Sequence, residues 1–169
     1  VTSDGLLWPI TRDNNIRHIR VCKEDEGVSI CVALGYCQKR ALLLIQNTGF
    51  LDSINAIRSI GAEYQNPLCM MLGLQGKEPY LSPSESRKLS VSMVQPMLDI
   101  MGIEQYLLQT TSDLGVIAGA VEGAGRPQGH VVGRRRQRGH ADRVYHDRFI
   151  VAVAAIEALV AVSYTHQPL

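Results

Sequence analysis

The stretch KEDEGVSICVALGYCQKRALLLIQNTGFLDSINAIRSIGAEYQNPLCMMLGLQGKEP, residues 23–79, passes twice from a helical pattern to an apolar run, and its reading decides the fold. Val28, Cys31, Val32 and Gly35 recur at spacings of three and four, which predicts a helix over 27–40 with Lys39 and Arg40 at its C-terminal end. ALLLI (41–45) is continuously apolar, the pattern of a strand covered on both faces, and Gln46, Asn47, Thr48 and Gly49 break it with turn chemistry. Helical spacing returns at Phe50, Ile54 and Ile57 and closes at Gly61. Pro67 then opens a second apolar strand, LCMMLGL (68–74), which ends in QGKEP.

Outward from this stretch the alternation continues. Upstream, RHIRVC (17–22) alternates polar and apolar residues and predicts a strand ended by EDEG. Downstream, Ser82-Pro83-Ser84-Glu85 has the form of a capping box, and Val94, Met97, Leu98 and Met101 form the apolar stripe of the next helix. A short strand QYLLQ (105–109), a helix over about 113–123 and a last strand HVV (130–132) complete the series. Apolar strands alternating with helices through short connections predict an α/β domain: a doubly wound parallel sheet with helices on both faces. Such sheets bind ligands beyond the carboxyl ends of their strands, so EDEG, QNTG and LQGKEP are the segments where a site is expected.

Composition narrows the chemistry. With 169 residues, 46% of them hydrophobic, the chain has material for one domain with a sizeable core. Its longest apolar run, Phe149–Val162, is 14 residues with Glu157 inside, too short for a spanning helix, and predicts instead an apolar helical tail. The opening VTSDGLLWPI lacks the basic start and apolar stretch of a secretory leader, so a cytoplasmic protein is expected. Four cysteines (22, 31, 37, 69) and five histidines are scattered without ligand spacing, so no protein-only metal site is expected and the thiols are read as buried and reduced.

The net charge of +1 hides an asymmetry: residues 1–125 carry 10 basic against 13 acidic side chains, residues 126–169 carry 7 against 3. Arg134, Arg135, Arg136 and Arg138 lack the aromatic interleaving of a nucleic-acid surface and are read as a solvated basic linker. No G-x-G-x-x-G, no G-x-x-x-x-G-K-[ST] and no G-x-S-x-G occurs, which sets aside the usual nucleotide cradles and the hydrolase elbow. What remains is Glu24, Asp25 and Glu26 together at a helix start, and a Gln-Asn-Thr-Gly turn on the neighbouring strand. Three acids there are either partners of the helix dipole or include one functional carboxylate.

Taken in order, the acidic E-G opening the first long helix, Q-N-T-G after the apolar strand, S-I-N-A in the next helix and the G-K-E-P turn resemble the pyrimidine-binding domain of thiamine diphosphate-dependent decarboxylases. The likeness is greatest to the sulfopyruvate decarboxylase α subunit and phosphonopyruvate decarboxylase. It is strong to about residue 108, fair to 133 and absent beyond, which divides the chain into a pyrimidine-binding domain (1–133, short at its N-terminus) and a basic linker with an apolar helical tail (134–169).

The resemblance implies that Glu26 pairs with the pyrimidine nitrogen opposite the amino group and favours the imino tautomer, which activates the cofactor for addition to a 2-oxo acid. By the same likeness, Asn47, Thr48 and Gly49 lie against the cofactor, while Asp4, Gln75 and Gly76 face substrate. Two positions depart from the family: Asp52 stands where asparagine is frequent, and Gln75 where arginine precedes the glycine. The family's G-D-G, which holds magnesium and the diphosphate, does not occur. A diphosphate-binding β subunit, in a homo- or hetero-oligomer, is therefore implied, with magnesium bound only through that partner. The alternative is a non-catalytic α/β module that keeps the fold for assembly or ligand sensing.

Overall fold

Three helix ends set the layout, because each hands the chain to a parallel strand. The computed structural model describes residues 8–109, 111–124 and 149–154. A short helix α1 (Trp8–Arg12) precedes an irregular segment, and α2 runs over Glu24–Tyr36. Helix α2 turns Glu24, Gly27, Val28, Cys31 and Val32 inward, the spacing of a helix buried on one side. It closes where Gln38 is left-handed (φ 58°), with Lys39 N–H donating to the Leu34 carbonyl at 2.8 Å. Strand β1 (Leu43–Gln46) follows.

The same closure recurs at Gln65 (φ 53°), where Asn66 N–H reaches the Gly61 carbonyl ahead of β2 (Leu68–Gly73). It recurs again at Gly102 (φ 67°), where Ile103 N–H reaches the Leu98 carbonyl ahead of β3 (Glu104–Leu108). Turned-back amides of this kind satisfy carbonyls that the helix end would leave open.

Between β1 and β2 the chain forms α3 (Asn47–Asp52), a break at Ser53, α4 (Ile54–Ala56) and a π-helical segment Ile57–Glu63. Between β2 and β3 it forms a 3-10 turn (Pro83–Glu85), α5 (Leu89–Ser92) and α6 (Val94–Met101). A second 3-10 turn (Thr111–Leu114) leads into α7 (Gly115–Ala124). Strand β4 (Phe149–Ala154) enters between β2 and β3, giving a sheet of order β1-β2-β4-β3 with every neighbouring pair parallel. The register pairs Gln46 with Gly73, Gly73 with Ala154, and Ala154 with Leu108, so all four strands end along one edge.

Helix α2 packs on β1 and β2, α6 on β3, and α7 on β2 and β4. All six residues of β2 are buried, and Phe50, Ile57, Val91, Val94 and Leu98 are wholly inaccessible beside it. Each such side chain contributes roughly 1.5–3 kcal/mol through removal from water.

The expected parallel α/β architecture is present, with four local corrections. RHIRVC forms no strand; Ile19 is 45% exposed, and among the described residues nothing pairs with the outer edge of β1. An alternating segment without a hydrogen-bonded neighbour has no sheet to stabilise it. Second, Asn47-Thr48-Gly49 is not a turn but the first turn of α3, entered directly from β1. Third, the expected apolar tail helix is a strand over 149–154. Phe, Ile and two Val among those six residues suit a strand flanked on both sides, and periodicity does not separate a buried helix from a buried strand. Fourth, Cys22 and Cys37 are exposed, while Cys31 and Cys69 are buried as expected; all four are free. The expected strand 130–132, the arginine cluster and Asp4 lie outside the described residues.

Candidate active site at the strand ends

Asn47 is the first residue beyond β1 and is completely buried. Its side-chain amide is used on both sides: Nδ2 donates to Ser90 Oγ at 3.2 Å, and Oδ1 accepts the Gln75 N–H at 3.2 Å. One side chain therefore ties the end of β1 to the turn after β2 and to α5. A buried amide bonded in this way adds direction to the packing, since either partner left alone would remain desolvated without a bond.

Thr48 is exposed and Gly49 is buried. The space a Cβ would occupy at Gly49 is filled by the Glu24 carboxyl group, whose Cδ would lie 2.6 Å away. Only a residue without a side chain admits that approach. Glu24 itself is 4% exposed and sits one turn before Val28 on the inner face of α2.

Asp25 and Glu26 point the other way. Both are exposed, and Glu26 Oε2 accepts the Cys22 N–H at 3.3 Å. Together with Ser29, Ile30 and Ala56 they line an open cleft of about 420 Å³ between α2 and α4. Ser29 Oγ donates to the Asp25 carbonyl at 2.9 Å, which keeps the first turn of α2 closed on this side.

After β2, Lys77 N–H donates to the Leu74 carbonyl at 3.1 Å, and Gly76 takes φ 80°. A positive φ at the third position is what a type II turn demands, and glycine supplies it. Glu78 then closes the loop beyond: its carboxylate accepts Ser86 Oγ at 2.7 Å and the Arg87 N–H at 3.2 Å. The Ser86 hydroxyl bond, above all, holds the Glu78 carboxyl below its ordinary range. Ser86 Oγ also accepts the Lys88 N–H at 3.2 Å, and the Lys88 side chain lies across Gly76.

The capping box is present, with Ser82 N–H donating to Glu85 Oε2 at 3.2 Å. It opens only the 3-10 turn, since Ser86 is extended (ψ 136°) and its hydroxyl is held by Glu78.

Of the residues singled out from the sequence, Asn47 and Gln75 meet in a hydrogen bond, Gly76 adjoins them, and Glu26 stands at the exposed start of α2. Glu24 stands out in the sequence only as one of three acids at a helix start, and Ser86, Lys88 and Ser90 do not stand out at all. For Glu24 the signal was available: it precedes Val28 by four and Cys31 by seven, which puts it on the buried face. For the other three, contacts across 8 to 43 positions brought them in, and no local pattern marks them.

Among the described residues no three His, Cys, Asp or Glu side chains gather as a metal site, and no helix is long and apolar enough to cross a membrane. Burial pushes the thiols of Cys31 and Cys69 up to about 11, which keeps them protonated and unsuited as ligands.

The site so far defines a class: a parallel α/β unit whose strand ends carry a polar wall, with an acidic helix start opposite. Sequence comparison makes the likeness specific. The chain is 36% identical over 71 residues to the sulfopyruvate decarboxylase subunit alpha of Methanococcus maripaludis, a match covering 42% of each chain. It is 29% identical over 112 residues to the protein of the same name from Methanocaldococcus jannaschii, covering 64% of this chain and 63% of that one. With the Methanothermobacter thermautotrophicus protein, also named sulfopyruvate decarboxylase subunit alpha, identity is 27% over 105 residues, 62% of this chain and 61% of that one. The chain thus spans between 42% and 63% of the length of these curated relatives. No family model matches it. The comparison thereby supports the resemblance to sulfopyruvate decarboxylase α subunits.

Proposed function

We propose that this chain is the pyrimidine-binding α subunit of a thiamine diphosphate-dependent 2-oxo acid decarboxylase of the sulfopyruvate or phosphonopyruvate type. The observation that carries the proposal is the Glu24 carboxyl group seated on Gly49, which joins the acidic start of α2 to the strand-end wall. The relatives' name supports it, and so does a donor set that fits the pyrimidine end of the cofactor. An exposed carboxylate (Glu26) suits a ring nitrogen, and the exposed Thr48 lies on the first turn of α3. The proposal includes a diphosphate-binding β partner in a homo- or hetero-oligomer, with magnesium bound through that partner, because the sequence holds no G-D-G.

When bound, thiamine diphosphate supplies the carbon nucleophile and the electron sink for decarboxylation. The chain's own residues do the rest. Glu26 shares a proton with the pyrimidine ring nitrogen, a task for an exposed carboxylate on a fixed helix. Thr48, exposed on the first turn of α3, would lie against the ring, with the Gly49 backbone supported by Glu24 and with Asn47 buried behind them. Asp4, Gln75 and Gly76 face the 2-oxo acid. The proposal includes a doubly wound sheet, a pyrimidine-binding unit over 1–133 that draws on 149–154 as a strand, the remainder of 134–169 as its appendage, and a cytoplasmic enzyme.

Calorimetric titration tests the division of labour. The chain alone is expected to bind thiamine diphosphate weakly and to decarboxylate nothing, and to gain both properties with a diphosphate-binding partner. Tight, magnesium-dependent binding by the chain alone would overturn it.

A further inference from the structure

Lys88 is the feature that the proposed chemistry leaves unused. Its side chain crosses Gly76, where Cδ and Cε would each lie 2.9 Å from an added Cβ, so the ammonium is carried to the turn that ends β2. That turn sits at the carboxyl edge of the parallel sheet, the edge at which such sheets take ligands.

The placement is built rather than incidental. Glu78 clasps Ser86 and the Arg87 amide, and Ser86 accepts the Lys88 N–H, so the backbone from which the lysine departs is fixed. Two residues on, Ser90 receives the Asn47 amide, and Asn47 in turn holds the Gln75 N–H. Lys88 is thereby tied to both sides of the strand-end wall. Gly76, left-handed at φ 80°, is the residue type that leaves room for the aliphatic stem.

Among the described residues the ammonium has no hydrogen bond and no ion pair, and Gln75 beside it is neutral. A cation held over a strand end with no ion-pairing carboxylate among the described residues is complementary to an oxyanion.

We infer that Lys88 is a specificity-determining residue that receives the second anionic group of the substrate, a sulfonate or phosphonate carried on the 2-oxo acid. The inference rests on the proposed decarboxylase reading and adds to it a named contact for the far end of the substrate. Lysine meets the group as a point charge, without the two-pronged geometry of arginine. Loss of such a charge-assisted contact weakens recognition by about tenfold or more.

Two measurements decide it. In the complex with a diphosphate-binding partner, the ratio of kcat/KM for sulfopyruvate over that for pyruvate is expected to fall about tenfold in Lys88→Met and to be largely kept in Lys88→Arg. It is expected to fall less in Glu78→Gln, which only loosens the clasp. An unchanged ratio in Lys88→Met would overturn the inference and leave the decarboxylase reading standing. In the chain alone, titration with inorganic sulfate is expected to shift the amide resonances of residues 75–77 and 88–90, and Lys88→Met to abolish those shifts. If the wild-type complex turns over neither acid, the decarboxylase reading fails, and the sulfate titration then decides the anion site: saturable shifts that depend on Lys88 uphold it, and their absence overturns it.

Discussion

The strand-end wall and the start of α2 meet where Glu24 lies against Gly49, but they are built in opposite ways. In the wall, Asn47 is inaccessible with both ends of its amide bonded, and Gly49 is pressed against a buried Glu24. At the start of α2, Asp25 and Glu26 stand in solvent beside an open cleft. Two glutamates two positions apart on one helix thus have different surroundings: Glu24 is packed as part of the scaffold, and Glu26 stands at the surface with one carboxylate oxygen on the Cys22 N–H. Alternation around the helix explains the division, because positions 24 and 28 share the inner face while 25 and 26 turn away from it. The difference teaches that the chain completes its own support at the strand ends and leaves the start of α2 open, the side that the proposed function assigns to the cofactor.

That contrast can be broken by substitution. The largest stability effect is expected at Gly49→Ala, where the new methyl group meets the Glu24 carboxyl: about 3 kcal/mol lost in denaturant unfolding. Glu26→Ala, on the open side, is expected to change stability by less than about 1 kcal/mol. Equal losses at the two sites would erase the distinction between wall and edge.

Asn47→Ala should follow, at about 2 kcal/mol, since the Gln75 N–H and the Ser90 hydroxyl lose their shared buried partner. Gln75→Ala keeps the backbone N–H that Asn47 binds and should unfold like the parent chain. If both substitutions cost the same, the bracket formed by Asn47 is not what holds the two strand ends together.

A smaller effect concerns the loop closed by Glu78. Its carboxyl group is held below the ordinary range, chiefly by Ser86, so the stabilisation of the charged form is complete above that range and is lost as pH falls through the depressed value. Proteolytic cleavage between residues 79 and 85 should therefore be slow and constant at neutral pH and should accelerate only in acid below the ordinary glutamate range. Glu78→Gln should remove only part of the acid dependence, because Ser82 holds the Glu85 carboxyl in the same loop below its ordinary range as well; an unaltered profile in that variant would assign the dependence to Glu85 alone.

The smallest effect is expected at Gln38, a left-handed residue at the end of α2 with an ordinary side chain. Gln38→Gly should raise stability by about 1 kcal/mol at most, relief of the left-handed strain offset by glycine's greater chain entropy. A loss instead would show that the glutamine side chain contributes to the closure.

Gln38 also shows why some of the fold was legible and some was not. The apolar runs at 41–45 and 68–74 are strands because burial on both faces leaves no polar position, a pattern local enough to read. The helix ends at Gln38 and Gln65 lack the glycine that usually announces them, and Gly61, which looked like an end, lies inside the π-helical segment. The strand at 149–154 reads as helix or strand until its neighbours β2 and β3 are known. At the site, Asn47, Gly49, Gln75 and Gly76 were marked by their position after apolar runs. The charge of Glu24 suggests a partner of the helix dipole, whereas its spacing from Val28 and Cys31 places it inside.

The central claim is that the open acid, Glu26, activates the cofactor while Glu24 supports the wall. Hydrogen–deuterium exchange of the thiazolium proton in the complex with a diphosphate-binding partner tests it most directly, in well-folded Glu26→Gln and Glu24→Gln variants side by side. The account predicts exchange slowed by roughly a hundred- to ten-thousand-fold in Glu26→Gln, the range supplied by a positioned proton-transfer group, and exchange near the parent rate in Glu24→Gln once its loss of stability is allowed for. Exchange at the parent rate in Glu26→Gln would contradict the account.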